Sequence, residues 1–113
     1  METQDGGIQA VKAARNQSLC REVNERIESI AGTAGDLQLL CECADLQCTD
    51  TISLSVAEYE NIRASSVRFP IALGHDVPEF ENVVLVHDRY AVVQKRGKAA
   101  EVSVKLDPRS RQS

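Results

Sequence analysis

Apolar residues recur along the chain with two periods, and the change of period divides it into elements. Leu19, Val23, Ile27 and Ile30 stand at steps of four, four and three, the spacing that lines one face of a helix. Arg21, Glu22, Asn24, Glu25 and Glu28 fall mainly on the other face, which is expected to be solvated. The helix is expected to start near residue 9 or 15 and to run to residue 31, with Gly32 as its stop and Gly35 extending the break. Residues 1–14 are then a flexible N-terminus or the beginning of that helix. The apolar stripe must be covered, either by the rest of the chain or by a second copy.

Beyond the helix the runs are short. Leu37–Cys43 is a predicted strand before a turn at Ala44-Asp45-Leu46-Gln47, and Thr51-Ile52-Ser53-Leu54 alternates as its partner. Ser55 and Glu58 form a capping box, with Leu54 and Tyr59 at the two positions of a hydrophobic staple, so a helix is predicted from Val56 to about Ala64. Arg68–Leu73 is an extended connection, and Gly74-His75-Asp76-Val77-Pro78 is a tight loop. Val83–Val86 and Tyr90–Val93 flank His87-Asp88-Arg89 as a hairpin whose two runs, apolar on both faces, should both be buried. One face is assigned to the long helix and the other to the cysteine segment. Val102 and Val104 extend the sheet, and residues 107–113 are a polar tail.

This is an α+β pattern: an N-terminal amphipathic helix, a small and mainly antiparallel sheet with a zinc-knuckle-like hairpin, and one short helix. At 113 residues it is a single domain, spanning 15–106. Aromatic residues are only 4% with no Trp, so the core lacks its usual large anchors. The formal charge of −4 argues against a general binder of nucleic acid or anionic membrane. No apolar run approaches the ~20 residues of a membrane-spanning helix, and the first residues do not form a secretory signal.

Four cysteines without such a signal point to reduced thiols in the cytoplasm rather than disulfides. Three of them lie in Cys41-Glu42-Cys43-Ala44-Asp45-Leu46-Gln47-Cys48. In an extended chain residues i and i+2 face one way, so Cys41 and Cys43 present their sulfurs together, and the turn returns Cys48 to them. Three such thiolates repel unless a cation lies between them, and zinc, tetrahedral and bound by sulfur and nitrogen, is the usual solution. Candidates for the fourth ligand are Cys20, His75 and His87. His75 is chosen, because Gly74 lets the backbone come close to an ion. Cys20 adjoins the helical stripe as a packing residue, and His87 is a solvated turn residue. Zinc also suits the size, since a compact part of roughly 70 residues rarely supplies enough core of its own.

The segments Arg21–Ile27, Cys41–Cys48, Ala57–Glu60, Arg68-Phe69, Gly74-His75 and Leu106–Arg109 resemble those of a group of small bacterial proteins, over Arg15 to Arg109. The resemblance implies a cytosolic bacterial protein with the same layout of three cysteines and one histidine, Cys20 standing outside it. It implies no activity.

The function expected is a zinc-stabilised interaction or regulatory module that binds another protein, or itself, through helix 15–31. A nucleic-acid-binding zinc module would use Lys95, Arg96, Lys98, Arg109 and Arg111, which are few and lack interleaved aromatics. A thiol redox sensor would use Cys41, Cys43 or Cys48. No catalytic motif is present, and four protein ligands leave zinc no open position, so the chain is not expected to be an enzyme.

Overall fold

The computed structural model describes residues 2–31, 35–45 and 47–109, with side chains from residue 8 onward. Helix α1 spans Glu2–Ala31 and begins well before the start positions that the pattern predicts. Strands β1 (Asp36–Leu40) and β2 (Thr51–Ser55) pair antiparallel, with Leu37 opposite Leu54 and Leu39 opposite Ile52. Helix α2 (Val56–Arg63) follows at once on the predicted capping box: Ser55 Oγ accepts from the Glu58 amide at 3.1 Å, and Glu58 Oε1 accepts from the Ser55 amide at 2.8 Å. Strands β3 (Arg68–Ile71), β4 (Glu81–Val86) and β5 (Ala91–Lys95) form a second antiparallel sheet in the order β3-β5-β4. Helix α3 (Gly97–Leu106) closes the α+β fold. No helix of the described residues is long and apolar enough to cross a membrane.

The central strand β5 has cover on both faces. Leu37, Leu39, Ile52, Leu54, Tyr59 and Ile62 pack with Tyr90 and Val92 in one cluster. Cys41 and Cys43 pack with Phe69, Ile71, Ala91 and Val93 in another. The cysteine segment therefore takes one face as expected, but the other belongs mainly to the β1–β2 ribbon and α2, with α1 contributing Ile27 at the margin. Burial of both hairpin strands also needs correction. Val83, Val84, Leu85 and Val86 on the edge strand β4 are 42, 41, 49 and 71% exposed, because the covering layers stop at β5.

Helix α1 turns most of its apolar stripe outward, with Ile27 packing against the first cluster. Leu19, Val23 and Ile30 are 61, 45 and 86% exposed, while Gln17, Ser18, Arg21 and Asn24 are fully buried with Ala10, Ala13 and Ala14. The first half of the helix needs small residues, since Ala10 and Ala14 meet Ala99 of α3. The second half lies along residues 40–44, whose backbone groups need polar partners. Asn24 donates to the Leu40 carbonyl at 3.0 Å and accepts from the Leu40 amide at 2.8 Å, and Gln17 donates to the Glu42 carbonyl at 2.9 Å. A leucine at either site would leave these groups unpaired in the interior, which costs more than apolar contact returns.

Two further expectations fail for related reasons. Val102 and Val104 lie in α3, not in a strand: Ala99 and Ser103, one turn apart, face α1, and the segment is rich in helix formers. The expected polar tail is anchored at residues 107–109. Asp107 is buried against Arg63, and Arg109 binds Glu25 and Glu60. Gly32, Leu46, Arg111 and the rest of the tail lie outside the described residues.

Candidate metal centre

The cysteine segment reaches its place by changing sheets. The Cys41 amide continues the β1–β2 ladder by donating to the Asp50 carbonyl at 3.0 Å, and the next amide, of Glu42, donates to the Pro70 carbonyl of β3 at 3.0 Å. This crossing ends β1 at Leu40, short of the strand predicted to Cys43. Cys41 and Cys43 nevertheless share one side, both buried in the cluster around Phe69. A turn then brings Cys48 back, its amide donating to the Asp45 carbonyl at 3.1 Å and the Gln47 amide to Asp45 Oδ1 at 2.9 Å.

The fourth group comes from the loop after β3. The His75 amide donates to the Ala72 carbonyl at 3.1 Å, and Gly74 inside this turn has φ +81°. A Cβ at Gly74 would meet nothing within 4 Å, so glycine serves the turn conformation here rather than a close approach. The result gathers Cys41, Cys43, Cys48 and His75, whose donor atoms all lie within 4.8 Å of one another and can hold a metal ion. His75 Nδ1 lies 3.5 Å from Cys41 Sγ and 3.6 Å from Cys48 Sγ. Cys20 and His87 stand outside the group. Cys20 is half-buried on α1, and His87 stacks on Tyr90 with its Nε2 3.4 Å from Glu58.

Two residues around the donors escaped the motif reading. Asp50 Oδ2 lies 3.4 Å from His75 Nε2, the ring nitrogen opposite the one that faces the sulfurs, where carboxylates commonly orient a metal-binding imidazole. The Ala72 amide donates to Cys41 Sγ at 3.1 Å. An acidic residue two positions after the last cysteine is a signal the sequence does carry. The Ala72 contact has none, being made by the backbone.

Burial pushes the Cys41 thiol well up, against the pull of the Ala72 amide, and its cysteine neighbours raise it further. Burial also raises the Cys43 thiol. Both effects penalise uncompensated thiolates, and a divalent cation among the sulfurs removes the penalty. A depression of about 270 Å³, lined by Cys43, Asp45, Gly74, His75, Asp76 and Val77, opens beside the donors.

Glu42, between two of the cysteines, points away from the donors into a buried polar network. Asn24 donates to its Oε2 at 2.6 Å, and Arg21 Nε is 3.9 Å from Oε1. Arg21 also lies 3.7 Å over the Phe69 ring and 3.7 Å from Asp107, so one buried guanidinium joins the cysteine segment to the C-terminal residues. Burial holds the Glu42 carboxyl up at about 7 despite Arg21.

Most of the basic residues considered for nucleic acid have partners within the chain. Lys95 is buried on Glu81 at 2.6 Å, Arg96 binds Asn82 and the Pro78 carbonyl, and Lys98 lies 3.5 Å from Glu101. Arg109 is shared by Glu25, Glu28 and Glu60. Compared with protein-family models, with curated proteins and with solved structures, the chain finds no match.

Proposed function

We propose that Cys41, Cys43, Cys48 and His75 bind one zinc ion that ties the two sheets together, and that the protein is a zinc-stabilised interaction module. The distances carry this reading. Tetrahedral zinc with Zn–S of about 2.3 Å and Zn–N of about 2.05 Å has an N···S edge of about 3.6 Å. The two edges from His75 Nδ1 measure 3.5 and 3.6 Å. All four cysteines are free thiols, which suits a reducing, cytoplasmic setting. Four protein donors complete the coordination sphere, so zinc here supports structure and no enzymatic activity is assigned.

A protein partner is assigned to the outward face of α1 between residues 15 and 31. Leu19, Val23 and Ile30 are exposed there beside Arg15 and Arg26, which favour an acidic, partly apolar surface. Elemental analysis tests the metal. One zinc per wild-type chain is expected, lost or weakened in both Cys43→Ser and His75→Ala. A full complement of zinc in His75→Ala would assign the fourth position elsewhere, and a metal-free wild type would end the proposal.

A further inference from the structure

We propose that Glu28 and Glu60 share one proton beside Arg109, and that this proton makes a pH-sensitive clasp of α1, α2 and the residues after α3. The clasp is built on one guanidinium. Arg109 Nε and Nη2 lie 2.7 and 3.1 Å from the two oxygens of Glu25 on α1. Its Nη1 and Nη2 lie 3.0 and 2.6 Å from the two oxygens of Glu60 on α2. Both pairs are bidentate, and together they engage all three nitrogens of the side chain. Glu28 is the third carboxyl and reaches only Nη2, at 3.4 Å. It also comes within hydrogen-bonding reach of Glu60. Two carboxyl groups make such a bond only when one of them carries a proton.

The contacts decide which acid holds it. Glu25 also accepts from the Tyr59 hydroxyl at 2.6 Å and from Arg63 Nε at 3.3 Å, so its charge is well met. Glu60 is held down at about 2 by hydrogen bonds from Arg109 and Glu28. Glu28 has no such support. Its side chain is only 16% exposed, it stands one turn from Glu25, and it lies three residues before the end of α1, where the helix dipole disfavours an anion. Burial and the neighbouring Glu60 push its carboxyl up to about 7, with Glu25 adding to the rise and Arg109 opposing it. The other guanidinium at hand, Arg63, is taken by Asp107 and Glu25. Protonated Glu28 therefore donates to Glu60, and its ionisation removes that donor and crowds three carboxylates around Arg109. A folded value raised above the unfolded one stabilises fully below the unfolded value and is lost as pH rises through the folded one. The clasp accordingly loosens as pH climbs from about 4.5 to about 7.

Carbon-detected NMR of the zinc-loaded chain reads the proton directly. The Glu28 carboxyl is expected to titrate near 7 in the wild type and to fall by at least one unit in Glu60→Gln. Hydrogen exchange reads the loosening at the Arg109 amide, which donates to Asp107 Oδ1 at 2.9 Å. Its protection, corrected for intrinsic exchange, should fall at least 10-fold between about pH 5.5 and 7.5. It should stay level in Glu28→Gln, whose amide keeps a donor for Glu60 at every pH. Titration of Glu28 in the ordinary carboxyl range would overturn the proposal. So would an Arg109 amide that loses protection equally in the wild type and Glu28→Gln. None of these residues is among the four metal donors, so the outcome is separate from the zinc reading.

Discussion

Two ends of this molecule solve one problem with different chemistry. At one end, segments more than twenty residues apart in sequence meet through three thiols and an imidazole, all able to bind one cation. At the other, α1, α2 and the residues after α3 meet through carboxylates and guanidinium groups: Arg63 on Asp107 and Glu25, and Arg109 on Glu25 and Glu60. The ion-pair end carries both signs of charge in the chain and is complete as it stands. The cysteine end gathers donor atoms that can hold a metal ion. The contrast teaches that distant segments of a small, aromatic-poor chain can meet through groups that satisfy one another or through a set of donors suited to a shared ion.

Removing the cation should separate the ends most. A strong chelator is expected to withdraw a contribution on the order of 10 kcal/mol, comparable to the whole stability of about 5–15 kcal/mol that a domain of this size has. Thermal melts followed by circular dichroism should show the transition collapse on chelation and return with added zinc. An unchanged melting temperature would mean that the cysteine end closes unaided. The counterpart at the ion-pair end is Arg63→Ala, which leaves the buried Asp107 carboxylate with Arg21, 3.7 Å away, as its charged partner beside the Arg109 amide. It should cost about 3 kcal/mol in urea unfolding, with one zinc still bound. Loss of zinc in that variant would show that the ends are coupled through Arg21.

Acid probes the ion-pair end. Burial works against the Asp107 carboxylate, but hydrogen bonds from Arg63, Ser66 and the Arg109 amide outweigh it and hold the group at about 2, below its ordinary value of 3.8. A lowered folded value stabilises fully above the unfolded value and is lost as pH falls through the folded one. Between pH 4 and 2 the wild type should therefore lose about 2 kcal/mol that Asp107→Asn has no means of losing. Parallel pH profiles of the two proteins would refute this. The smallest expected effect is at the cysteine end, where Asp50→Asn should weaken zinc binding about 10-fold by freeing the orientation of the His75 imidazole, read in a competition titration. Equal affinities would remove Asp50 from the site.

The local features were legible because their causes are local. The capping box, the staple pair Leu54 and Tyr59, the β1–β2 pairing and the grouping of three cysteines all follow from spacing within a few residues. His75 was also legible, as a histidine after a glycine in a short loop, although the glycine proves to serve the turn. What the sequence concealed was which surface each element presents. Most of the apolar stripe of α1 faces outward because the chain crossing between sheets at residues 40–44 leaves backbone groups that Asn16, Gln17 and Asn24 satisfy, while Arg21 binds the Ser66 and Arg68 carbonyls.

The sequence by itself determined the start of α2 at its capping box, the pairing of β1 with β2, that the fold is α+β, and which side chains can act as soft metal donors. Only the tertiary structure decided which faces are buried, that β5 is covered where the equally apolar β4 is not, that Val102 and Val104 join a helix, and that Asp50 lies beside His75. Spacing and capping act between near neighbours and are written in the residue order. Burial depends on what distant segments bring to a face, and a buried backbone carbonyl can turn a polar residue inward as firmly as an oily surface turns a leucine.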